Sequence, residues 1–326
     1  MCSKNNSSSF IISEGFVETI SFPVPLFFRP QFAYRKGTDT IYSYQLHSSQ
    51  HKAQALIHFT KEDKEVWSLS ASPFGSVYGN EFCTTEILTS FVAEVKKILI
   101  REGIQSIGIK HYPACYDPAM HDMVLEALFN NGFEITCTEL NQYLPLHQAS
   151  KKEVFDHSKL HLIKKCKEAG FSVAISLSFD ADEWYAIIVR ARKLRGHPMT
   201  IDLDGLRSLN KGNEAYYHFF EVKDGNTIIA CAVGVQVTAD VMYYYLAADE
   251  EEYRNYSPMT FLLDSMYSFA MEKGVKVLDM GISSSNGVLN EGLRWFKKSF
   301  GSSEQAKLVL QWRAKTETKE EVEHEQ

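Results

Sequence analysis

The sequence predicts a mixed α/β protein built from two sister domains. Three observations predict it. Short runs of alternating apolar and polar residues, which read as hairpin strands, lead into a helix with a regular apolar face and then into another short strand. That order occurs once before residue 150 and once after it. The length of 326 residues suits two domains of about 150 residues each. Hairpin strands followed by a strand–helix–strand crossover imply a sheet with both antiparallel and parallel neighbours.

The elements follow in order. The first 45 residues read as an irregular entry with short strands, because Pro23, Pro25 and Pro30 interrupt any long element. Gln54 to Phe59 and Val66 to Ala71 alternate and read as a hairpin. Ser72-Pro73-Phe74-Gly75 is a turn. Thr85 can cap a helix running to about Arg101, with Ile87, Phe91, Val95, Ile98 and Leu99 on one face and Gly103 as its stop. Ile104 to Ile109 is a short strand, His121 to Asn130 a second helix, and Ile135 to Leu146 strand again. Near residue 150 the composition shifts. Lys151, Lys152, Lys159, Lys164, Lys165 and Lys167 lie within or beside a helix that ends at Gly170. Phe171 to Leu177 is a strand and Asp182 to Arg195 a helix. Tyr216 to Val222 and Thr227 to Val237 flank the turn Lys223-Asp224-Gly225-Asn226, a hairpin signal. Val241 to Ala247 is the next strand, Pro258 to Lys273 a helix stopped by Gly274, and Val275 to Met280 a strand. Gly287 to Phe296 reads as a short helix and Ala306 to Gln311 as a last strand.

The halves also match residue by residue. Arg101-Glu102-Gly103-Ile104 corresponds to Glu272-Lys273-Gly274-Val275, and Leu128-Phe129 through Gly132-Phe133 to Trp295-Phe296 through Ser299-Phe300. Ser72-Pro73 and Ser257-Pro258 precede the two long helices. One fold used twice accounts for this spacing. The expected domains are 1–150, 151–315 and a disordered acidic tail over 316–326.

Composition narrows the function. The net charge of −7 excludes the basic excess that duplex nucleic acid demands. It is unevenly spread: −4 over 1–150, +1 over 151–315 and −4 over 316–326. The polar start Met1 to Ser9 does not read as a signal peptide, and no apolar run is long enough to span a membrane. The expected location is therefore the cytoplasm. Cys2, Cys83, Cys115, Cys137, Cys166 and Cys231 form no CxxC pair, so a disulfide framework or zinc site is not expected. His47 and His51 are spaced i, i+4 without a third ligand, and no metal is expected. Neither GxGxxG nor GxxxxGK[ST] is present.

One stretch carries a resemblance. It comprises Tyr244-Tyr245-Leu246-Ala247, then Tyr256-Ser257-Pro258-Met259-Thr260-Phe261-Leu262-Leu263, then Gly274 to Gly281 with Asp279-Met280-Gly281 at its end, then Gly292-Leu293-Arg294-Trp295-Phe296-Lys297-Lys298-Ser299-Phe300-Gly301. In order and spacing it resembles the tandem GNAT (acyl-CoA N-acyltransferase-like) fold of the Fem peptidoglycan aminoacyltransferases. The resemblance covers residues 150–312 well and 50–146 weakly. It implies a bacterial N-acyltransferase that takes acyl-CoA or another activated acyl donor, holds no permanent cofactor, and acts on an amine acceptor in the interdomain cleft. A second reading is aminoacyl transfer from tRNA to a cell-wall precursor; a third is a catalytically idle GNAT-fold protein that binds a metabolite or partner. Where acetyl-CoA enzymes carry a phosphate loop Gln/Arg-x-x-Gly-x-Gly/Ala, this chain has Arg254-Asn255-Tyr256-Ser257-Pro258-Met259, with both small residues replaced. The helical arm of some Fem enzymes has no room here, which argues against tRNA; the altered loop permits it.

Candidate residues follow. By the resemblance Lys297 lies at the cleft and can stabilise an acyl carbonyl, with Lys298 as its understudy. Asp279, ending a strand, can orient an amine or take its proton, and Tyr245 can present a hydroxyl. Arg254, Ser257, Met259 and Thr260 fall where donor phosphate would bind at a helix N-terminus. Arg192 and Arg195 share a helix face, turned away from Arg190, and suit anionic substrate; His197, on the loop after them, can act as a base.

Overall fold

The computed structural model describes residues 11–14, 20, 22–29, 32, 41–48, 50, 52–69, 72–146, 150–209 and 215–314. The acidic tail and Cys2 fall outside these residues. The chain divides into two compact units, Met1–Tyr112 with Pro118–Cys137 and Leu308–Gln326, and Pro113–Asp117 with Thr138–Lys307. Among the described residues no helix is long and apolar enough to cross a membrane.

In the first unit β1 (Ile11–Glu14), β2 (Ile41–His47), β3 (Ala53–Glu62) and β4 (Glu65–Trp67) form an antiparallel run, and the short β5 (Tyr78–Gly79) pairs with β3. Helix α1 (Thr85–Arg101) then leads to β6 (Ser106–Lys110), which lies parallel to β4. Val309–Arg313 adds antiparallel to β6. The cap of α1 is Thr84 rather than Thr85: its hydroxyl accepts the Ile87 N–H at 3.4 Å. The buried stripe runs Leu88, Phe91, Val92, Val95 and Leu99, rotated slightly from the expected face. Helix α2 (Pro118–Asn130) and the start of β7 (Glu134–Pro145) complete the unit. The strand β2 was hidden in the irregular entry, since Tyr42 to Gln45 gives little apolar alternation.

In the second unit α3 (Lys151–Val154) and α4 (His157–Glu168) precede β8 (Ser172–Ser176), α5 (Ala181–Leu194) and α6 (Leu203–Ser208). Then come β9 (Tyr217–Asp224), β10 (Thr227–Gln236), β11 (Val241–Asp249), α7 (Pro258–Glu272) and β12 (Val277–Ile282). The sheet order is β8-β9-β10-β11-β12-β7, and β11–β12 is its parallel pair. Helix α7 buries Phe261, Leu262, Leu263, Met266, Tyr267 and Ala270 in a core shared with Phe220, Val222, Ile229, Met242 and Leu278. Removing Leu262 to Ala there would cost roughly 2–5 kcal/mol. The expected helix at Gly287 starts later. Asn286 and Gly287, at φ 50° and 76°, close a small hairpin of β13 (Ser284–Ser285) and β14 (Val288–Leu289). Asn290 then caps α8 (Glu291–Lys298) by accepting the Leu293 N–H at 3.0 Å. The chain closes with β15 (Ser303–Arg313). The two long helices end alike, with Gly103 and Gly274 at φ 83° and 72°. Each unit thus has a mixed sheet whose parallel pair is joined through its long helix.

His58 gives the first unit a pH dependence. It is buried, its Nε2 donates to the Phe28 carbonyl at 2.9 Å, and its Nδ1 accepts from the Ser43 hydroxyl at 2.8 Å. Burial pulls the ring down from 6.5 to about 4. A depressed histidine stabilises the fold above its unfolded value. That stability, on the order of 3 kcal/mol, is lost as pH falls from about 6.5 to about 4. Denaturant melts over this range should show the loss, and a His58→Gln variant should flatten it. An equally steep decline in the variant would exclude His58 as the cause.

Candidate active site

Strands β11 and β12 pair only from Val241 to Tyr243 and from Val277 to Asp279. Beyond this β11 carries on to Asp249, its course altered by a register shift against β10 and by Leu246 at φ 50°. Strand β12 instead follows β7. The gap is a cleft of about 720 Å³, lined by Tyr243, Tyr244, Ala247 and Asp249 of β11 and by Met280, Gly281 and Ile282 of β12. Helix α8 supplies Leu293, Phe296 and Lys297, α5 supplies Ile188, Ala191 and Arg192, and the entry to α7 supplies Arg254, Ser257 and Met259. The expected site lay between the domains; the residues lining this cleft all belong to the second unit.

Lys297 is the buried cation of the cleft, 3% exposed. Its Nζ donates to the carbonyls of Gly281 at 2.9 Å and Ile282 at 2.7 Å. Those carbonyls are available because β12 turns at Gly281, at φ 73°, where a side chain would press on the Tyr243 ring at 3.2 Å. Asp279 fixes the turn. Its Oδ1 accepts the Gly281 N–H at 2.9 Å and the Asn141 amide at 2.9 Å, and its Oδ2 accepts the Tyr116 hydroxyl at 2.6 Å. Burial pulls the Lys297 amine from 10.5 down to about 7, opposed by the negative charge of Asp279. Burial, followed by that same charge, raises the hydroxyls of Tyr116 and Tyr243 far above their usual range, so both stay protonated.

The opposite wall is cationic. Asp249, almost fully buried, accepts from Arg195 at 2.6 Å and from Arg254 at 3.4 Å through each of its oxygens. Arg192 donates to the Pro198 carbonyl at 2.8 Å, and exposed His197 stands beside it on the cleft wall. Ser257 takes a left-handed conformation, φ 57°, just before Pro258 opens α7, and its hydroxyl pairs with Thr260 at 2.8 Å.

Of the expected residues, the cleft brings together Lys297, Arg254, Ser257, Met259, Arg192, Arg195 and His197. Four lie elsewhere. Asp279 is buried behind the wall and reaches Lys297 through Gly281. Tyr245 stacks on Tyr243 at 5.9 Å, and Tyr243 and Tyr244 line the cleft in its place, because the irregularity of β11 interrupts simple alternation. Thr260 is fully buried under Ser257, and Lys298 points to solvent one position past the inward face. Sequence reasoning missed Asp249, Asn141 and Tyr116. The bracketing Pro113 and Pro118 hinted that Tyr116 is held rigidly; nothing local marked the other two.

A charged amine held at about 7 rather than 10.5 costs on the order of 5 kcal/mol relative to water. This cost builds as pH falls from about 10.5 to about 7 and is fully present below that. Lys297→Met removes it and restores apolar packing beside Phe296 and Met280. Denaturant melts at pH 6.5 should give the variant an unchanged or higher midpoint. A loss of about 3 kcal/mol would instead make Lys297 a structural strut.

Comparisons with known proteins bear on the fold. Residues 163–288 match the family model described as an acetyltransferase (GNAT) domain, from α4 to β14 and so short of Lys297. The structure of FemX is similar over 84% of this chain and 88% of its own, at 13% identity and a TM-score of 0.62. L-PGS from Bacillus licheniformis covers 83% of this chain and 84% of its own, at 13% identity and 0.57. A tandem GNAT protein from the clavulanic acid biosynthesis pathway covers 88% and 86%, at 9% identity and 0.52. No curated protein matches by sequence. The chain thus has the fold of these structures, and residues 163–288 of its second unit resemble an acetyltransferase (GNAT) domain.

Proposed function

We propose that the protein transfers an acyl group from an activated ester or thioester to an amine within the cleft of its second unit. The observation that carries this is Lys297, a buried amine on the cleft wall whose Nζ is held in place by two backbone carbonyls. Two of its N–H bonds are spent on the Gly281 and Ile282 carbonyls, which leaves one donor for the acyl oxygen. The acceptor nitrogen attacks the acyl carbon and a C–N bond forms. The carbonyl oxygen gains negative charge, which the Lys297 ammonium stabilises. The C–S or C–O bond then breaks, and the nitrogen gives up its proton to the departing group through water. Positioning supplies the remainder of the acceleration, so no nucleophilic side chain is required. His197, at the cationic wall, is the candidate to relay that proton to the departing group.

The donor's phosphate would meet Arg254, Arg195 and the start of α7. Acyl-CoA, made and used in the cytoplasm, is one such donor. An aminoacyl ester on an RNA end is the second, and a specific feature favours it: Ser257 and Met259 replace the small residues that let a pyrophosphate approach backbone N–H groups. A lysylphosphatidylglycerol synthetase domain shares the fold, at a TM-score of 0.57, so an aminoacyl cargo is compatible with it. The acceptor would be a small amine or an amine-bearing cell-wall precursor.

Transfer should be followed with acetyl-CoA, longer acyl-CoA and aminoacyl-tRNA against a set of amines. Lys297→Met should lower turnover at least about a hundredfold with the productive pair. Because the ammonium is the active form, the wild-type rate per neutral acceptor amine should fall as pH rises through about 7. Equal turnover by the variant, or that rate staying flat from pH 6 to 9, would contradict this role.

A further inference from the structure

The carboxylate of Asp249 is shared by two arginines of the cleft lining. Arg195 comes from the end of α5 and Arg254 from the entry to α7, and both line the cleft. Asp249, at the end of β11, lies between their guanidiniums and is 7% exposed. Arg190, the nearby arginine turned off the cleft, is taken by Glu250. Lys165 is tied to the carbonyl of Asn255 at 2.7 Å. The Arg195–Arg254 pair therefore presents one net positive charge instead of two, beside Arg192, the third arginine of the lining, which donates to the Pro198 carbonyl.

We infer that Asp249 is a specificity-determining residue, an internal counterion that tunes this wall to a ligand group bearing a single negative charge and against one bearing several. This rests on the acyl-transfer reading and deepens it. A phosphodiester or other monoanion balances the charge left on this pair and can share the guanidinium donors with Asp249. A pyrophosphate brings two or more charges up against a buried carboxylate, and the like-charge repulsion is strong in a partly dry cleft. The lost small residues at Ser257 and Met259 act in the same direction, by closing the backbone approach on which a pyrophosphate relies. A carboxylate that served only to tie α5, β11 and α7 together would leave ligand charge preference untouched.

The test is binding, which needs no acceptor and no turnover. Calorimetric titration with CoA, with pantetheine as the uncharged control, should be run on wild type, Asp249→Asn and Asp249→Asn/Arg254→Gln at low salt. Asp249→Asn should tighten CoA by about tenfold or more and leave pantetheine unchanged. The double variant, with its charge rebalanced, should return CoA to the wild-type value. Asp249→Ser carries the same expectation if the Asn variant does not fold. A neutral variant that folds but binds CoA no better than wild type would overturn the inference and leave Asp249 a structural clamp. That result would not touch the acyl-transfer reading, which stands or falls on turnover by Lys297→Met.

Discussion

The parallel ladder between β11 and β12 ends at Tyr243 and Asp279, and the site depends on that ending. Two strands that stay paired leave no room for a ligand, because their backbone groups satisfy one another. Here β11 departs through its irregularity at Leu246 and β12 turns at Gly281. The separated strand ends expose carbonyls and side chains to the cleft. The Gly281 and Ile282 carbonyls, released in this way, hold Lys297.

The turn at Gly281 is itself maintained by a buried polar cluster. Asp279 accepts from a backbone N–H, an amide and a phenol, and so its charge is dispersed over good donors. That charge partly offsets the desolvation of Lys297 and keeps its amine near neutrality instead of lower. The far wall uses the same device with the opposite arrangement: one buried carboxylate against two arginines. The cleft is thus cationic, but moderately so, with an amine at one side and a partly balanced pair at the other. A net charge of −7 for the chain says nothing about this local field.

Much of the fold was legible because its signals are local. The Lys223-Asp224-Gly225-Asn226 turn, the Gly103 and Gly274 stops and the apolar face of α7 each lie within a short window of sequence. Lys297, Arg254 and the arginines of α5 were found because each sits in or beside a short run of recognisable type. Asp279 was singled out as a strand-end carboxylate that could orient an amine or take its proton; it lies buried, and its contacts are with Tyr116 and Asn141, 163 and 138 residues away. No local pattern predicts such partners. Asp249 was missed for the same reason, its guanidinium at Arg195 being 54 residues distant. Tyr245 was preferred over its neighbours on strict strand alternation, which the irregularity in β11 breaks.

The central claim is that the Asp279–Gly281 corner holds Lys297 as an amine poised at neutral pH. The most direct measurement is the titration of the Lys297 side chain by NMR, with selectively labelled lysine and Lys297→Met to assign the signal. The account predicts a midpoint of about 7 in the wild type and a lower one in Asp279→Asn, where the opposing negative charge is gone. A midpoint near that of an ordinary surface lysine, or one that Asp279→Asn leaves unmoved, would contradict it.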